Sequence, residues 1–490
     1  MLEKRVQMNL QDSGLFRTQA YVDGAWIDAD DGTTRTVTDP ATGGVIAEVA
    51  NCAQLETRRA IEAAERAQVG WRAVPAKEKS RLIRNLFDLM MAHQDDLGTI
   101  MTLEQGKPLA EARGEIAYGA AFLEWFAEEA KRVYGDTIPG PTGDRRVVVV
   151  KEPVGVVGCI TPWNFPNAML TRKIGPALAT GCTVVCKPAN ATPLSALAIG
   201  ELAERAGIPP GVINILAGNT AEIGAEITSN PIVRKLTFTG STEVGKTLIQ
   251  ECAATVKRTS MELGGNAPFI VFDDADIDSA VDGAIASKYR NAGQTCVCAN
   301  RMLIQAGVYA TFAERLAEKV AQLKVGNGME PGVEIGPLID DTAANDVIGM
   351  IDEATASGAK VITGGGRLAL GDRFVAPTVL TEVTDEMRVF NEEIFGPVAP
   401  LIKFETEGEA IELANKTEFG LASYFYARDI GRIWRVAEGL EYGIVGINEG
   451  VISNEMAPFG GMKESGNGRE GSKYGVDEYL EIKYLCMGGI

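Results

Sequence analysis

The decapeptide that begins at Asn291, Asn-Ala-Gly-Gln-Thr-Cys-Val-Cys-Ala-Asn, places Cys296 directly after a Gly-Gln-Thr turn. A thiol in such a turn can be presented to a ligand instead of being packed into the core. Cysteine nucleophiles are commonly activated by a histidine, but the chain has eight cysteines and only one histidine, His93. His93 lies on or beside the apolar stripe of a predicted helix, where a half-buried structural histidine is expected. The base must therefore be another residue, and Glu262 in the run Met-Glu-Leu-Gly-Gly is the strongest candidate.

Cys298 follows the candidate nucleophile by two residues and has two interpretations. It can be a small core residue, or it can be oxidised to a disulfide with Cys296 that blocks turnover. A disulfide at this spacing would be strained and therefore easily reduced. The sequence leaves both interpretations open.

A second motif, Gly240-Ser-Thr-Glu-Val-Gly-Lys-Thr, matches the P-loop pattern letter for letter. An apolar run that ends in Asp273 is available as the second element of such a site, so a nucleotide triphosphatase using Lys246 is a legitimate hypothesis. Independently of that, a Gly/Ser turn at a helix N-terminus presents free N–H groups to a phosphate. The usual dinucleotide signature G-x-G-x-x-G is absent.

The length and net charge of the chain limit the number of domains and the kind of partner. The 490 residues suffice for about two to four domains with large cores. The net charge of −19, from 47 basic and 66 acidic side chains, argues against a nucleic acid partner, which needs a basic face. An anionic small molecule would need a cationic pocket set against this overall field.

The chain also lacks the patterns of membrane and secreted proteins. No apolar run approaches the ~20 residues of a membrane span, and residues 1–11 are too polar for a signal peptide. The cysteines show no framework spacing, which is typical of reduced thiols in the cytoplasm. No metal site is predicted.

The apolar spacing predicts which elements must position these residues. Residues 57–69, 77–97 and 108–133 are predicted amphipathic helices. Strands near 154–160, 183–186, 212–216, 234–239 and 268–272 then alternate with helices at about 169–180, 194–206 and 220–229. The second half repeats the alternation, with helices near 275–291, 309–323 and 342–357 and strands near 302–305, 360–363 and 399–404. This order predicts parallel α/β sheets that bind ligands at the carboxyl ends of their strands. Residues 479–487 and the 144–150 run are predicted to form a separate small sheet.

Six motifs occur in a characteristic order along the chain. They are Thr161-Pro-Trp-Asn-Phe-Pro, Lys187-Pro-Ala, Phe238-Thr-Gly-Ser, Glu262-Leu-Gly-Gly, Gly293-Gln-Thr-Cys and Glu392-Glu-Ile-Phe-Gly-Pro. Together they resemble the aldehyde dehydrogenase superfamily, from about residue 16 to the C-terminus. Under this resemblance the P-loop match of Lys246 is accidental, because the superfamily's loop needs the glycines and Ser241 but no lysine.

The resemblance implies the aldehyde dehydrogenase fold. Its Rossmann-like dinucleotide-binding domain would comprise residues 1–135 and 159–267, and its α/β catalytic domain residues 268–455. Residues 136–158 and 456–490 would form a β oligomerisation arm, whose edge strand a partner chain covers. Members with this arm are usually homodimers or homotetramers.

The resemblance also implies roles for three residues. Cys296 would attack the aldehyde carbonyl as a thiolate. The side-chain amide of Asn164 and the backbone N–H of Cys296 would stabilise the oxyanion. After hydride transfer to a nicotinamide, Glu262 would activate the water that hydrolyses the thioester.

By the same resemblance, a set of residues would hold NADP or NAD. They are Trp163, Gly240 and Ser241 at the pyrophosphate, Lys187 and Glu393 at the two ribose units, Phe395 at the nicotinamide, and in addition Asn190 and Leu263. NAD-preferring members often carry a glutamate three residues after the Lys187 equivalent, where it would repel a 2′-phosphate. Asn190 stands there in this chain, so NADP is favoured and NAD is expected to be usable.

Three further positions line the aldehyde tunnel in this superfamily, and here they are Arg172, Arg290 and Ser453. Two arginines and a hydroxyl would clamp a carboxylate at the far end of the substrate. The pattern is similar to that of the succinate-semialdehyde dehydrogenases of 4-aminobutyrate degradation. Glutarate semialdehyde and 2-oxoglutarate semialdehyde would fit the same clamp. The expected partner is thus a small semialdehyde.

Overall fold

The computed structural model describes residues 8–490, and the first seven residues of the predicted dinucleotide-binding domain lie outside the described part. The helices are α1 (Gln54–Ala73), α2 (Ala76–Ala92), α3 (Gln94–Gln105), α4 (Leu109–Glu129), α5 (Ala168–Thr180), α6 (Leu194–Arg205), α7 (Thr220–Ser229), α8 (Thr242–Cys252), α9 (Ile277–Lys288), α10 (Tyr309–Val320), α11 (Asp341–Ala356), α12 (Arg388–Asn391), α13 (Glu407–Asn415), α14 (Ile430–Gly439) and α15 (Tyr474–Asp477).

The strands are β1 (Ala20–Val22), β2 (Ala25–Ile27), β3 (Thr34–Thr38), β4 (Val45–Ala50), β5 (Asp136–Pro139), β6 (Arg145–Pro153), β7 (Val156–Ile160), β8 (Thr183–Lys187), β9 (Ile213–Ile215), β10 (Val233–Thr239), β11 (Arg258–Glu262), β12 (Ala267–Val271), β13 (Ala299–Gln305), β14 (Lys360–Thr363), β15 (Thr378–Thr381), β16 (Val398–Phe404), β17 (Phe419–Gly420), β18 (Ala422–Tyr426), β19 (Ile444–Ile447), β20 (Met462–Lys463), β21 (Gly466–Asn467) and β22 (Leu480–Gly488).

The first large sheet has eight strands in the order β2-β1-β9-β8-β7-β10-β11-β21. Its five central strands, β9 to β11, run parallel. Strands β7, β8 and β9 are short, largely apolar runs because helices cover both faces of such a sheet. Strand β11 is mostly polar, and the apolar spacing did not predict it. In the register, Ile160 pairs with Lys187 and Thr239 pairs with Glu262. The carboxyl ends of these strands therefore lie along one edge, where a parallel sheet binds its ligands.

The second large sheet has seven strands in the order β14-β15-β16-β13-β12-β18-β19. All neighbouring pairs are parallel except β14 with β15. Its core is built from aromatic and aliphatic side chains of α9, α10 and α11 packed on these strands. The loop between α9 and β13 carries Cys296, and this loop faces the ligand-binding edge of the first sheet across the candidate site.

A small antiparallel sheet, β22-β6-β5, is separate from the two large ones. It pairs the C-terminal strand with the 145–153 strand, as the sequence predicts. Apolar side chains of β22, including Ile482 and Tyr484, are exposed in the single chain. The domain limits stay predictions, but β7, which the predicted arm enters at 156–158, belongs to the eight-stranded sheet.

The predicted α/β fold with two parallel sheets is confirmed. One helix prediction was wrong, because residues 77–97 form two helices. Helix α2 ends at Ala92 and α3 begins at Gln94, since His93 between them has φ −108° and ψ 21°. Within residues 8–490 no helix is long and apolar enough to span a bilayer.

Candidate active site

A cavity of about 240 Å³ lies where the carboxyl edge of the first sheet meets the Cys296 loop. Its lining combines residues of both sheets. They are Pro162, Trp163, Asn164, Phe165, Met169, Thr239, Gly240, Ser241, Leu263, Gly264, Cys296, Glu393 and Phe395. Predicted nucleophile, predicted oxyanion donor and most predicted cofactor residues thus share one space.

The turn before Cys296 is held in an uncommon backbone conformation. Asn291 and Ala292 have φ of 51° and 54°, in the left-handed region that residues with a Cβ rarely adopt. Gln294 secures the turn because its side-chain oxygen accepts the N–H of Ile339 at 3.0 Å. The result is a half-buried thiol at the cavity.

Burial, together with the charge of Glu393, raises the pKa of the Cys296 thiol to about 12. The positive charge of Arg172 opposes this rise in pKa. In this arrangement the thiol is neutral, so attack on a carbonyl requires a base that removes its proton.

Glu262 ends β11 and is almost fully buried. Neither of its carboxyl oxygens has a hydrogen-bond partner in the described chain. Burial holds the pKa of this carboxyl well above its usual range, and the neighbouring Glu470 acts in the same direction. A carboxyl group with a raised pKa and no competing donor is suited to taking a proton from water or a thiol.

Asn164 lies in the loop between β7 and α5, and its side-chain amide makes hydrogen bonds both within this loop and to the loop that carries Cys296. Its Nδ2 donates to the backbone carbonyl of Gln294 at 3.0 Å, and its Oδ1 accepts the N–H of Phe165 at 3.1 Å. The amide therefore lies beside the Cys296 loop, where an N–H donor can reach an oxyanion formed on that thiol.

The cofactor side of the cavity fits a pyrophosphate and a flat ring. Ser241 precedes α8 without capping it through its hydroxyl, so the hydroxyl and the helix N-terminus both remain available to an anion. A Cβ on Gly240 would lie 2.4 Å from the Phe238 ring, so this turn admits only glycine without rearrangement. Trp163 and Phe395 meet edge to face with ring centroids 5.6 Å apart, and Phe395 has φ 51°.

Glu393 and Leu263 lie on the same wall of the cavity. Glu393 accepts the N–H of Gly265 at 3.2 Å with one oxygen. Burial raises the pKa of Glu393 to about 8. Its carboxyl group can accept hydrogen bonds from ribose hydroxyls, which is the role predicted for it.

Lys187 ends β8, and its ammonium donates to Asn190 at 3.0 Å and to the Pro188 carbonyl at 3.1 Å. Burial lowers the pKa of Lys187 to about 8, and the charge of Arg35 lowers it further. The amide of Asn190 also donates to Thr220 at 3.0 Å. Lys187 thus lies close to a second cation, Arg35, and no carboxylate contributes to the shift of its pKa. This arrangement suits an additional phosphate. Sequence reasoning missed Arg35, because β3 carries no motif.

Arg172 differs from its predicted role as a free clamp. It is fully buried, and its Nε lies 2.7 Å from Oε2 of Glu470. The guanidinium also stacks on Phe459, at 4.1 Å from the ring centre. Its Nη2 has no hydrogen-bond partner among residues 8–490, so one donor remains for a substrate. The charge of Arg172 is therefore shared with Glu470.

Arg290 is half-buried and has no carboxylate within 4.0 Å in the described chain. It stacks over Phe165 at 5.4 Å, and its charge lowers the pKa of Cys296. Tyr118, which sequence reasoning missed, lies between the two arginines and beside Ser453. Burial raises the pKa of Tyr118, and its hydroxyl has no hydrogen bond of good geometry. Helix α4, which carries Tyr118, has no local motif that could have revealed it.

Cys298 is buried, and its thiol donates to the Lys288 carbonyl at 3.2 Å. It does not line the Cys296 cavity. A disulfide with Cys296 would require the side chain to leave this contact, and the redox hypothesis stays a prediction.

The P-loop hypothesis does not fit the structure. Lys246 is exposed and its ammonium lies 2.6 Å from Glu464. Asp273 follows β12 of the other large sheet and pairs with Arg432. Lys246 on α8 and Asp273 after β12 therefore each pair with another residue, and they do not form a triphosphate site. No cluster of metal-ligating side chains occurs in residues 8–490.

The comparisons with known proteins agree with this geometry. The model of the aldehyde dehydrogenase family matches residues 26–485. Glutarate-semialdehyde dehydrogenase of Pseudomonas aeruginosa is 62% identical, over 99% of this chain and 100% of that protein. Succinate-semialdehyde dehydrogenase (NADP+) of Escherichia coli K12 is 60% identical, over 98% of this chain and 100% of that protein. The crystal structure of succinate-semialdehyde dehydrogenase from Burkholderia pseudomallei matches with a TM-score of 0.97 and 60% identity, over 98% and 99% of the two chains.

Proposed function

The chain belongs to the aldehyde dehydrogenase family, and we propose that it oxidises a C4–C5 aldehyde with a terminal carboxylate. Succinate semialdehyde is the first candidate. The observation that carries this proposal is Arg290, a half-buried guanidinium that forms no ion pair within 4.0 Å among residues 8–490 and is close enough to lower the pKa of Cys296. A cation left in this state next to a nucleophile indicates an anionic substrate.

The reaction consumes an aldehyde, water and an oxidised nicotinamide, and it yields a carboxylic acid, a reduced nicotinamide and a proton. Glu262 takes the thiol proton of Cys296 and releases it to solvent, and the thiolate bonds to the carbonyl carbon, while Asn164 and the Cys296 N–H stabilise the resulting oxyanion. When bound, NAD(P)+ accepts the hydride that leaves this carbon. Glu262 then removes a proton from water, whose oxygen attacks the thioester carbon and displaces the Cys296 sulfur.

Arg290, Tyr118 and Ser453 would bind the far carboxylate, with Nη2 of Arg172 as a further donor. Hydrogen bonds to charged groups contribute about 1.5–3 kcal/mol each. Two such bonds favour a carboxylated aldehyde over a neutral one of equal length by roughly 10²-fold or more. The ion pair with Glu470 reduces the share that Arg172 supplies, so Arg290 dominates the clamp.

Glutarate semialdehyde is the second candidate, and the Pseudomonas aeruginosa relative that bears this name supports it. It differs from succinate semialdehyde by one methylene. A methylene changes discrimination by only ~1–3 kcal/mol, so both are expected as substrates. 2-Oxoglutarate semialdehyde fits the same clamp.

NADP is proposed as the favoured cofactor, with NAD usable. Lys187 and Arg35 supply positive charge where a 2′-phosphate would bind, and Asn190 brings no negative charge there. The name of the Escherichia coli relative, which specifies NADP+, also supports this choice.

We further propose a homodimer or homotetramer in a reducing compartment such as the cytoplasm. The exposed apolar side chains of β22 support association, because such a strand is normally covered. All eight cysteines are free thiols, which supports a reducing environment.

The test is a steady-state comparison of C3–C6 semialdehydes with neutral aldehydes of equal length, using both cofactors. We expect kcat/KM to be highest for the C4 or C5 semialdehyde with NADP+. In an Arg290→Met variant, kcat/KM should fall about 10²-fold for semialdehydes and stay nearly unchanged for neutral aldehydes. Equal losses for both classes would refute the carboxylate clamp. The matched control is Arg315→Met, an exposed arginine on α10 that pairs with Asp278 away from the cavity.

A further inference from the structure

A buried ion pair lies beneath the loop that carries Asn164. The ammonium of Lys107 is 2.5 Å from Oε2 of Glu115, and both side chains are only 1% exposed. Lys107 lies in the short connection between α3 and α4. Gly106, with φ 96°, follows the last residue of α3, and Pro108 precedes the first residue of α4. Glu115 lies on α4.

Both members of the pair contact the oxyanion loop directly. Nζ of Lys107 donates to the backbone carbonyl of Asn164 at 2.7 Å and stacks on the Phe165 ring at 4.0 Å. Oε1 of Glu115 accepts the N–H groups of Asn167 and Ala168 at 3.0 and 3.1 Å. The ion pair therefore holds both ends of the segment that presents the Asn164 amide.

This segment has little other support. Pro162 and Pro166 lack backbone N–H groups and cannot contribute main-chain hydrogen bonds as donors. Among residues 8–490, the Asn164 carbonyl accepts hydrogen bonds only from side chains, namely those of Lys107 and of Asn291, whose Nδ2 lies at 3.0 Å. The orientation of this peptide is thus set by side chains and not by a strand ladder.

The same contacts join the two parts of the predicted oxyanion hole, the Asn164 amide and the loop that carries Cys296. Asn291 donates both to Asn164 and, at 3.3 Å, to the carbonyl of Gln294. The Asn164 amide also donates to the Gln294 carbonyl. A displaced Asn164 would therefore lose its alignment with the Cys296 loop.

Stability alone is a poor reason for this ion pair. Replacing a buried pair by apolar side chains of similar volume is often neutral or stabilising. We propose that Lys107 and Glu115 are positioning residues that orient Asn164 for oxyanion stabilisation, a proposal that rests on the proposed function. They touch neither Cys296 nor the cofactor side of the cavity, so they act through Asn164.

The expected effect is on kcat. Removing one oxyanion donor reduces kcat by roughly 10²–10³-fold, and a misplacement of about 1 Å can reduce the rate about 10²-fold. The variant Lys107→Met/Glu115→Gln leaves neither member of the pair charged without the other and keeps an oxygen for the N–H groups of Asn167 and Ala168. We expect this variant to melt near the parent temperature, to bind NADP+ with the parent Kd, and to lose about 10–100-fold in kcat.

A thermodynamic cycle separates positioning from a general structural effect. The double variant is made in the parent and in an Asn164→Ala background, and kcat is measured with a neutral aldehyde. If the double variant acts through Asn164, adding it to the Asn164→Ala background should lower kcat by less than about two-fold more. An equal decrease in both backgrounds, or a double variant with the parent kcat, would overturn the proposal. Because the assay aldehyde has no carboxylate, an error in the substrate assignment leaves this outcome unaffected.

Lys235→Met is the matched control. Lys235 is also a fully buried lysine on the first sheet, with Nζ 2.5 Å from Ser260 and 3.5 Å from Glu478. Its loss should lower the melting temperature and change kcat by less than about two-fold. A decrease in kcat as large as that of the Lys107 variants would show that any buried lysine has this effect and would refute the positioning role.

Discussion

Replacing Glu262 by glutamine should stop the reaction after hydride transfer, with the acyl group still bound to Cys296. The substitution keeps the shape of the side chain and removes its ability to take a proton. Glu262 is well suited to that task because burial raises its pKa and neither carboxyl oxygen has a hydrogen-bond partner in the described residues. A positioned general base contributes about 10²–10⁴-fold, so thioester hydrolysis should slow by that factor.

Stopped-flow absorbance of the reduced nicotinamide measures the outcome. The Glu262→Gln variant should release one equivalent of reduced cofactor per active site in a burst slower than that of the parent, because Glu262 also serves the Cys296 thiol, and should then turn over about 10²–10⁴-fold more slowly. Intact mass measurement of the quenched protein should show the acyl group, and its site should map to Cys296. Glu464→Gln, which removes an exposed carboxylate paired with Lys246, should behave like the parent.

The pH dependence has a defined sign. A base works in its deprotonated form, so hydrolysis by the parent should speed up as the pH rises through the raised pKa of Glu262. This increase in the hydrolysis rate with pH should be absent from the Glu262→Gln variant. If the variant instead hydrolyses the thioester at the parent rate after its burst, the assignment of Glu262 to the water is refuted.

The remaining predictions concern stability, cofactor choice, oxidation and assembly. Burial holds the pKa of Glu262 in the folded chain well above its value in the unfolded chain, so the folded chain binds one proton more between these two values. The contribution of Glu262 to the free energy of unfolding should therefore fall by about 1.4 kcal/mol per pH unit in that range. Chemical denaturation of the parent and Glu262→Gln at several pH values should show this as a difference in the slope of unfolding free energy against pH. Asn190→Glu places a carboxylate beside Lys187 and should lower kcat/KM for NADP+ by at least about 10-fold while sparing NAD+, since unit charges 4 Å apart repel by about 4 kcal/mol near a protein surface; unchanged cofactor ratios in steady-state assays would contradict this. Cys298→Ala should resist peroxide inactivation that dithiothreitol reverses in the parent, and equal sensitivity would exclude a Cys296–Cys298 disulfide. Deleting residues 480–488 should reduce the mass measured by light scattering to that of a smaller assembly, because it removes the exposed apolar strand β22.

The residues at the ends of parallel strands were predictable from the sequence. Asn164, Lys187 and Gly240 each follow or end a strand predicted from the sequence, and a parallel sheet places the carboxyl ends of its strands at one edge. Glu262 ends β11, a mostly polar strand that the apolar spacing did not predict. The structure brings them to that edge. Their order along the chain was therefore enough to predict that they lie together, although their contacts were not.

Other features had no local signal. Tyr118 lies on α4, Lys107 between α3 and α4, and Arg35 on β3. None of these segments carries a motif, so only the tertiary structure reveals the three residues. The break at His93 was missed for a related reason. An amphipathic pattern continues across a change of helix direction when both helices pack on the same core.

The sequence by itself determined the family and the chemical groups, since a thiol, a carboxylate and an amide in ordered motifs identify the reaction. Only the tertiary structure decided the charge, protonation and hydrogen bonding of these groups. Arg172 appears in the sequence as a second free cation, but the fold places it on Glu470. Cys298 follows the nucleophile, but its thiol faces Lys288. The reason is that charge, protonation and hydrogen bonding depend on distance and burial, which residues far apart in the chain set together.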